Sequence, residues 1–547
     1  MRYIKRYIKW VSAAAAAVLI ISAAGCAAEQ SVETAAQAPS ASELPLPEEY
    51  TQEGKITELT TTMMRNPETL HPIYVTDEDT LNIMSLICEP AIALDYSDRP
   101  KPSVIESWTL DEAGTTVIFN VRKGVAFHDG SGEVKAEDIA YCLDLIMAAS
   151  EQECIYAKYK SIVSSYEAID DYKLQLRLSM KTGDVYYLMN FPVIPKTVYS
   201  SRPADTKSVP VGTGPYHVDK YSPEAGMELT VNENWWRTAP SITRITASAV
   251  DDNESKLAGY QMGTYNFVAM TAMAANSYRS QKNTSAYKTT TLYYEGLVPN
   301  MSNRFLQDVN IRKAISLALD RREIIATGVL GGGIVTTTPI RGDLWYLEGT
   351  SGSLIEYNTA QANALLDDAG YFMDIATGNR YVENADGSKG YINIELIYCE
   401  YDELYYRNAV ASMVETDLAE IGVRVTVKEL DKQSFEEALG SGDFDIALAS
   451  FYTKANSDIS YLFGYNSTCN YGGYADEELQ SLIAASRLAL TEEEQQTAFI
   501  ALNNMLSERL PHIGLYFREY MVYASSAIKN IKNLRRGAVF ADINAWS

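Results

Sequence analysis

From residue 55 onward, short runs with a two-residue hydrophobic period alternate with capped runs of helical period, which restricts the chain to an α/β fold with several sheets. ITELTTTMM opens the pattern. TTVIFNVRKG (115–124) is the clearest strand, and it closes in the turn His128-Asp129-Gly130. Lys135-Ala136-Glu137-Asp138 then starts a helix, and PYHVDKY and MELTVN return to strands. In the second half, residues 308–329 read as one helix. Asn358 caps another that closes at Gly370, and residues 406–421 and 434–439 read as further helices. INIELIYCE, VRVTVKEL and DFDIALASFY are strands, and Thr491-Glu492-Glu493-Glu494 is a capping box for a helix ending at Pro511. At 547 residues the chain exceeds what one core supports, so two to four domains are expected.

The first 26 residues set the location. Arg2, Lys5, Arg6 and Lys9 precede an uncharged, alanine-rich run that is short for a spanning helix and ends in small residues. This is the layout of a secretion signal. Ala23-Ala24-Gly25-Cys26 resembles a bacterial lipobox, so residues 1–25 read as signal peptide and Cys26 as the lipidated N-terminus. Residues 26–54, rich in Ala, Ser, Pro and Glu, read as a flexible tether. The expected location is the outer face of the bacterial cytoplasmic membrane.

A net charge of −25 argues against nucleic acid or anionic lipid surfaces as partners. Six cysteines include no CxxC, and His71, His128, His217 and His512 are scattered, so no metal site is indicated. Without Cys26 five cysteines remain, Cys88, Cys142, Cys154, Cys399 and Cys469, an odd number that leaves at least one outside any intrachain disulfide. Cys142 falls on the apolar face of its helix and reads as a buried small hydrophobe.

Neither GxSxG nor HExxH occurs. Ser285-x-x-Lys288, Ser526-x-x-Lys529 and Lys181-Thr182-Gly183 imitate a penicillin-binding motif set, but in the reverse of the required order. No catalysis and no cofactor are therefore expected; a secreted hydrolase and a surface adhesin are the rival classes. Tyrosine is unusually abundant, 38 against 13 Phe, with pairs at Tyr186-Tyr187, Tyr293-Tyr294 and Tyr405-Tyr406. Its ring and hydroxyl suit a wet pocket for peptides or sugars.

Eight segments in order carry a resemblance. PSVIESWTLDEAGTTVIFNVRKGV, FHDG with KAEDIAYCLDLI, VGTGPYHVDKYSPEAGMELTVNENWW and NESKLAGYQMG come first. DVNIRKAISLALDRREII, YNTAQANALLDDAGY, GDFDIALASFY and NYGGYADEELQSLI follow. Together, across residues 60–530, the chain resembles the peptide-type family 5 of extracellular solute-binding proteins, the receptors of ABC importers. The resemblance implies a type II periplasmic-binding-protein-like clamp with mixed sheets in two main lobes plus an extra lobe. Lobe I would combine 55–85, 205–295 and 512–547; lobe II, the extra lobe, would be 86–204; lobe III would be 296–511. It also implies a monomeric receptor that captures an oligopeptide and delivers it to a membrane permease. An oligosaccharide or other carboxylate- or hydroxyl-rich solute is the alternative.

The resemblance further implies an interlobe turn at Gly212, Gly214 and Pro215, where glycine tolerates dihedrals other residues cannot. Phe451 stands where peptide-binding relatives place a pocket aromatic, and Lys454 where they place an ammonium-clamping Asp. The nearest acid is Asp458. A buried lysine there would favour a carboxylate over an ammonium. Tyr294 and Asn300 complete the expected ligand-binding set.

Overall fold

Two long strands, Thr284–Pro299 and Ile513–Ser525, run side by side and organise the molecule. The computed structural model describes residues 56–271, 283–350, 354–400, 406–464 and 467–547. The expected signal, Cys26, the tether and Tyr405 lie outside them. The two strands are the antiparallel spine of a seven-stranded sheet. At one end Phe267–Thr271 adds to the second spine strand, antiparallel. At the other end Ile446–Tyr452 adds to the first spine strand, followed by the parallel strands Asn393–Cys399 and Arg424–Leu430. Both spine strands pass from one hydrophobic core into another. Tyr520, Val522 and Ala524 belong to the core near residues 56–271, whereas Ile513, Leu515 and Tyr516 belong to one between residues 297 and 516.

Between Thr290 and Tyr294 the pairing of the two strands slips, and it slips again at Glu295/Gly296. These irregularities bend and twist a ladder that is otherwise regular. Immediately beyond the first slip sits Glu295, fully buried. Arg518 Nε donates to it at 2.7 Å, Arg407 approaches at 3.3 Å, and the Tyr406 hydroxyl lies at 3.3 Å. Burial alone would raise this carboxyl, but Arg518 and Arg407 outweigh it and hold the group below its ordinary value.

Two smaller sheets flank the spine. Glu58–Met64, Arg244–Val250, Gly226–Val231 and Tyr216–Ser222 form a mixed four-stranded sheet, with the outer pair Glu58–Met64 and Arg244–Val250 parallel. Ile105–Leu110, Thr116–Val121, Lys173–Leu178 and Val163–Asp170 form an antiparallel sheet. The helix Ala136–Ala148 covers that sheet with Ile139, Cys142, Leu143 and Ile146 turned inward, as its periodicity requires. The fold is thus mixed α/β with several sheets, as expected.

Most helix boundaries follow their caps. Asn358 accepts from the Gln361 amide to start Thr359–Asp368, and Thr491 forms the capping box of Glu492–Arg509. The single helix expected over 308–329 is instead broken. Val309–Ala318 ends, and Asp320 caps a new short turn, Arg321–Glu323, that continues as a π-turn over Ile324–Gly328. The break lets buried Arg321 donate to the Ser316 and Gly514 carbonyls, bonds a continuous helix would not deliver in this direction. All five described cysteines are free thiols, four of them buried.

The turn at Gly212-Thr213-Gly214-Pro215 corrects one physical reason. Neither glycine has a positive φ. Each is needed for space, because a Cβ on Gly212 would meet the Ile87 carbonyl oxygen at 2.3 Å and one on Gly214 the Leu86 oxygen at 2.4 Å. His128, in the FHDG turn, accepts from the Gly212 amide at 3.0 Å. Its role is to hold that turn.

Candidate functional site

The slipped segment of the spine forms the floor of a cleft. A cavity of about 630 Å³ opens over Thr289, Thr290, Leu292 and Tyr293. One wall comes from the chain around the antiparallel sheet, through Lys158, Tyr159 and Tyr187. A second carries Trp235 and Arg237, a third Arg341 and Tyr452, and Arg535 and Arg536 of the C-terminal segment close the end. The cavity therefore lies where chain segments distant in sequence converge, the common setting of a ligand site.

Its charges are mostly paired. Asp98 sits at positive φ, 58°, in a turn built by the Asp95 carboxylate, which accepts from the Ser97 and Arg99 amides. The turn holds Asp98 between Arg341 Nη1 and Arg535 Nε, each at 2.6 Å. Burial pushes the Asp98 carboxyl up, yet Arg535 and Arg341 overcome this and keep it below its usual range. Glu89 accepts from Trp236 Nε1 at 2.7 Å and Thr213 Oγ1 at 3.1 Å, and faces Arg237 Nε at 3.3 Å. Burial still raises its carboxyl against those partners. Glu78 pairs with Arg536 at 2.7 Å, and burial raises it too. Lys158 has aromatic neighbours instead, the rings of Tyr159 at 5.4 Å and Tyr452 at 5.6 Å. Burial, with Arg535 and Lys454 nearby, pulls its ammonium down to about 8.

The residues expected from the sequence occupy other places. Tyr294 and Phe451 face each other across neighbouring strands, ring centroids 6.2 Å apart, within a buried aromatic group that includes His512. Burial drives that histidine down to about 3, so it is neutral. Asn300 donates to the Gly442 and Phe444 carbonyls, both at 2.9 Å, and pins a loop. Lys454 meets Asp458 at 3.1 Å, and Arg487 stands 3.9 Å from the same carboxylate. None of these five lines the cavity; their neighbours Tyr293, Tyr452 and Ala455 do. Strand alternation is the reason, since Tyr293 and Tyr452 point to the face opposite Tyr294 and Phe451. Pro215 lines the cavity, whereas Gly212 and Gly214 pack behind it.

The cleft residues least visible in the sequence are Asp98, Lys158, Arg341 and Arg535. The adjacent pair Arg535-Arg536 in so acidic a chain was the available signal. A second cavity, about 690 Å³, lies beside the cleft against Asp320, Arg322 and Thr336–Thr338, and shares Thr290 and Arg341 with it. Among the described residues no group of His, Cys, Asp and Glu is arranged to hold a metal ion, and no helix is long and apolar enough to cross a membrane.

The model of bacterial extracellular solute-binding proteins, family 5 (middle), matches residues 99–473. The oligopeptide-binding protein AppA of Bacillus subtilis is 23% identical over 469 residues, covering 82% of this chain and 84% of its own. The dipeptide-binding protein of Escherichia coli is 22% identical over 421 residues, 71% of this chain and 75% of its own. Among solved structures, a nickel ABC transporter protein from Bacillus halodurans superposes with a TM-score of 0.76 at 19% identity, over 88% of this chain and 98% of its own. The B. subtilis AppA structure gives 0.59 at 20% identity, over 89% and 98%. The fold, the cleft at the spine and the family match over residues 99–473 agree: this chain is a bacterial extracellular solute-binding protein of family 5.

Proposed function

We propose that the protein captures an oligopeptide in the cleft and delivers it to the permease of an ABC importer, with no catalysis of its own. One observation carries this reading: the cavity lies over the slipped segment of the two strands that pass from one hydrophobic core into another, so a closure of the bodies around those cores would enclose whatever occupies it. Under this reading 55–85, 205–295 and 512–547 act as one lobe, 86–204 as a second and 296–511 as a third. The relatives support the ligand class. B. subtilis AppA is an oligopeptide-binding protein and was solved with a nonapeptide, and the E. coli relative binds dipeptides. The cleft offers Tyr159, Tyr187, Tyr293, Tyr452 and Trp235 as stacking surfaces, and paired charges along its walls.

Membership of an extracellular family, with the secretion-signal pattern and Gly25-Cys26 at the N-terminus, supports lipid anchoring at Cys26 on the outer face of the cytoplasmic membrane; we propose that the anchored receptor acts as a monomer.

The test is to incubate the purified protein, starting at residue 27, with a mixed library of tri- to nonapeptides and weigh the complexes by native mass spectrometry. Retained peptides should reduce the radius of gyration in small-angle scattering. They should also stabilise the fold by about 2.7 kcal/mol at 100 times the dissociation constant. No retained peptide, or retention with unchanged compactness and stability, would reject the reading.

A further inference from the structure

The chain as a whole is strongly acidic, at −25, but the cleft is not. Its charged lining comprises the carboxylates Glu78, Glu89, Asp98 and Glu151 and the cations Lys158, Arg237, Arg341, Arg535 and Arg536. Glu78 pairs with Arg536 and Glu89 with Arg237, while Asp98, shared by Arg341 and Arg535, is joined by Asp343 at 2.9 Å from Arg341, so four carboxylates match the four arginines. Glu151 stands exposed at the rim. What remains inside is the ammonium of Lys158, which forms no hydrogen bond or ion pair with the described residues and lies between two tyrosine rings. On the next residue, whose ring flanks that ammonium, the Tyr159 hydroxyl is buried and also has no hydrogen-bond partner among the described residues. A half-buried cation and an unused donor on adjacent residues of one wall form an acceptor-seeking pair, because neither has a hydrogen-bond acceptor among the described residues to offset its burial.

Resting on the reading of the cleft as the ligand site, we infer that Lys158 and Tyr159 form an anion subsite that receives a carboxylate of the bound solute. The subsite belongs to the chain segment around the antiparallel sheet. It is therefore distinct from Lys454, which the sequence pattern suggested as a charge contact but which pairs with Asp458 outside the cavity lining. Asp98 and Asp343 add to the selectivity, since together they neutralise Arg341 and Arg535 and leave Lys158 as the free charge. A ligand carboxylate could accept from both groups without displacing an internal ion pair. A ligand ammonium would meet an unneutralised like charge.

Native mass spectrometry of the protein from residue 27 with three mixtures tests this. They are free-acid tri- to hexapeptides, the same peptides as C-terminal amides, and a set of small dicarboxylates and sugar acids. Wild type should retain free acids over amides by at least about tenfold. Lys158→Met should lose that preference and Lys158→Arg should keep it; Tyr159→Phe should weaken it while leaving the fold intact. Retention of free acids and amides alike by wild type, or a preference that survives Lys158→Met, overturns the subsite and leaves the peptide reading standing. If no peptide is retained but the acid mixture is, by wild type and Lys158→Arg and not by Lys158→Met, the subsite holds and the peptide reading falls. Retention of nothing by any variant rejects both.

Discussion

Asp98 and Arg341, 243 positions apart in the chain, meet at 2.6 Å, and Arg535 holds the other oxygen of the same carboxylate. One buried acid from the segment before the antiparallel sheet thus joins two arginines from different parts of the fold. Asp98→Asn keeps the shape and removes the charge, leaving two guanidinium groups facing each other. The expected loss is about 3–5 kcal/mol of unfolding free energy at neutral pH, read by equilibrium urea unfolding. The native carboxyl is held below its ordinary value by the two arginines against burial. Its stabilisation is therefore complete above the unfolded value of about 3.9 and disappears as pH falls through the lower native one. The gap between wild type and Asp98→Asn should close on acidification; a gap independent of pH would show that the charge contributes nothing.

Glu295 gives a second case, deeper in the structure. Its carboxylate accepts from Arg518 at 2.7 Å and faces Arg407 at 3.3 Å, just past the slip in the spine. Glu295→Gln should cost about 3–5 kcal/mol by the same assay, since it uncouples two buried cations. Glu295 lies outside the cleft lining, so retention of peptides by the folded fraction should be unaffected.

Gly212 and Gly440 predict effects of opposite sign. Gly212→Ala forces a methyl to within 2.3 Å of the Ile87 oxygen and should destabilise by about 1–3 kcal/mol. Gly440 lies in the helix Lys432–Ser441 with nothing within 4 Å of a built Cβ. Gly440→Ala should stabilise by about 0.5–1 kcal/mol through helix propensity. Melting curves of the two variants moving the same way would contradict this account.

The Lys158 subsite has a pH signature. The groups that face it are Arg535 and Lys454, which lower its ammonium, and Asp98 and Glu151, which oppose them. Burial and the first pair prevail, so the free protein loses this charge near pH 8. An anionic ligand binds the charged form, so binding should draw in a proton there. Affinity for a free-acid peptide should fall as pH rises from 7 to 9, by up to about tenfold per unit once the lysine is neutral. Calorimetry in buffers of differing ionisation enthalpy reads the proton uptake directly, and its absence at pH 8 would remove Lys158 from the contact.

Cys26→Ser tests the anchor. The variant should appear in the medium or accumulate unprocessed, while wild type stays with the membrane fraction. Unchanged membrane retention with normal processing would dispose of lipidation at Cys26.

Much of the fold is written locally. The alternation of 115–124 gives a strand, the Thr491 capping box gives a helix, and the apolar face of 136–148 gives the burial of Cys142. The broken segment after Ala318 was hidden because its cause is tertiary: Arg321 turns to reach carbonyls at Ser316 and Gly514, the latter 193 residues away. The cleft was less legible still. Phe451 and Tyr294 carry an aromatic signal that their neighbours Tyr452 and Tyr293 share, and composition cannot say which member of a pair a strand turns toward the cavity. Asp98, Lys158 and Arg341 have no shared motif, because what relates them is the packing of distant segments.

The paired spine strands also limit how the molecule can move. Two single threads between two bodies would permit twisting, sliding and bending in any combination. Strands hydrogen-bonded to each other on both sides of a slip must turn together, and the slip between Thr290 and Tyr294 is where the ladder between them is already interrupted. Under the proposed clamp reading, closure of the bodies would then reduce to nearly one degree of freedom, a rotation about an axis crossing the ladder at that point. A solute sitting on Thr289–Tyr293 would rest almost on that axis. Its own displacement during the swing would be small, and the largest travel would fall at the rim, where a permease could register it.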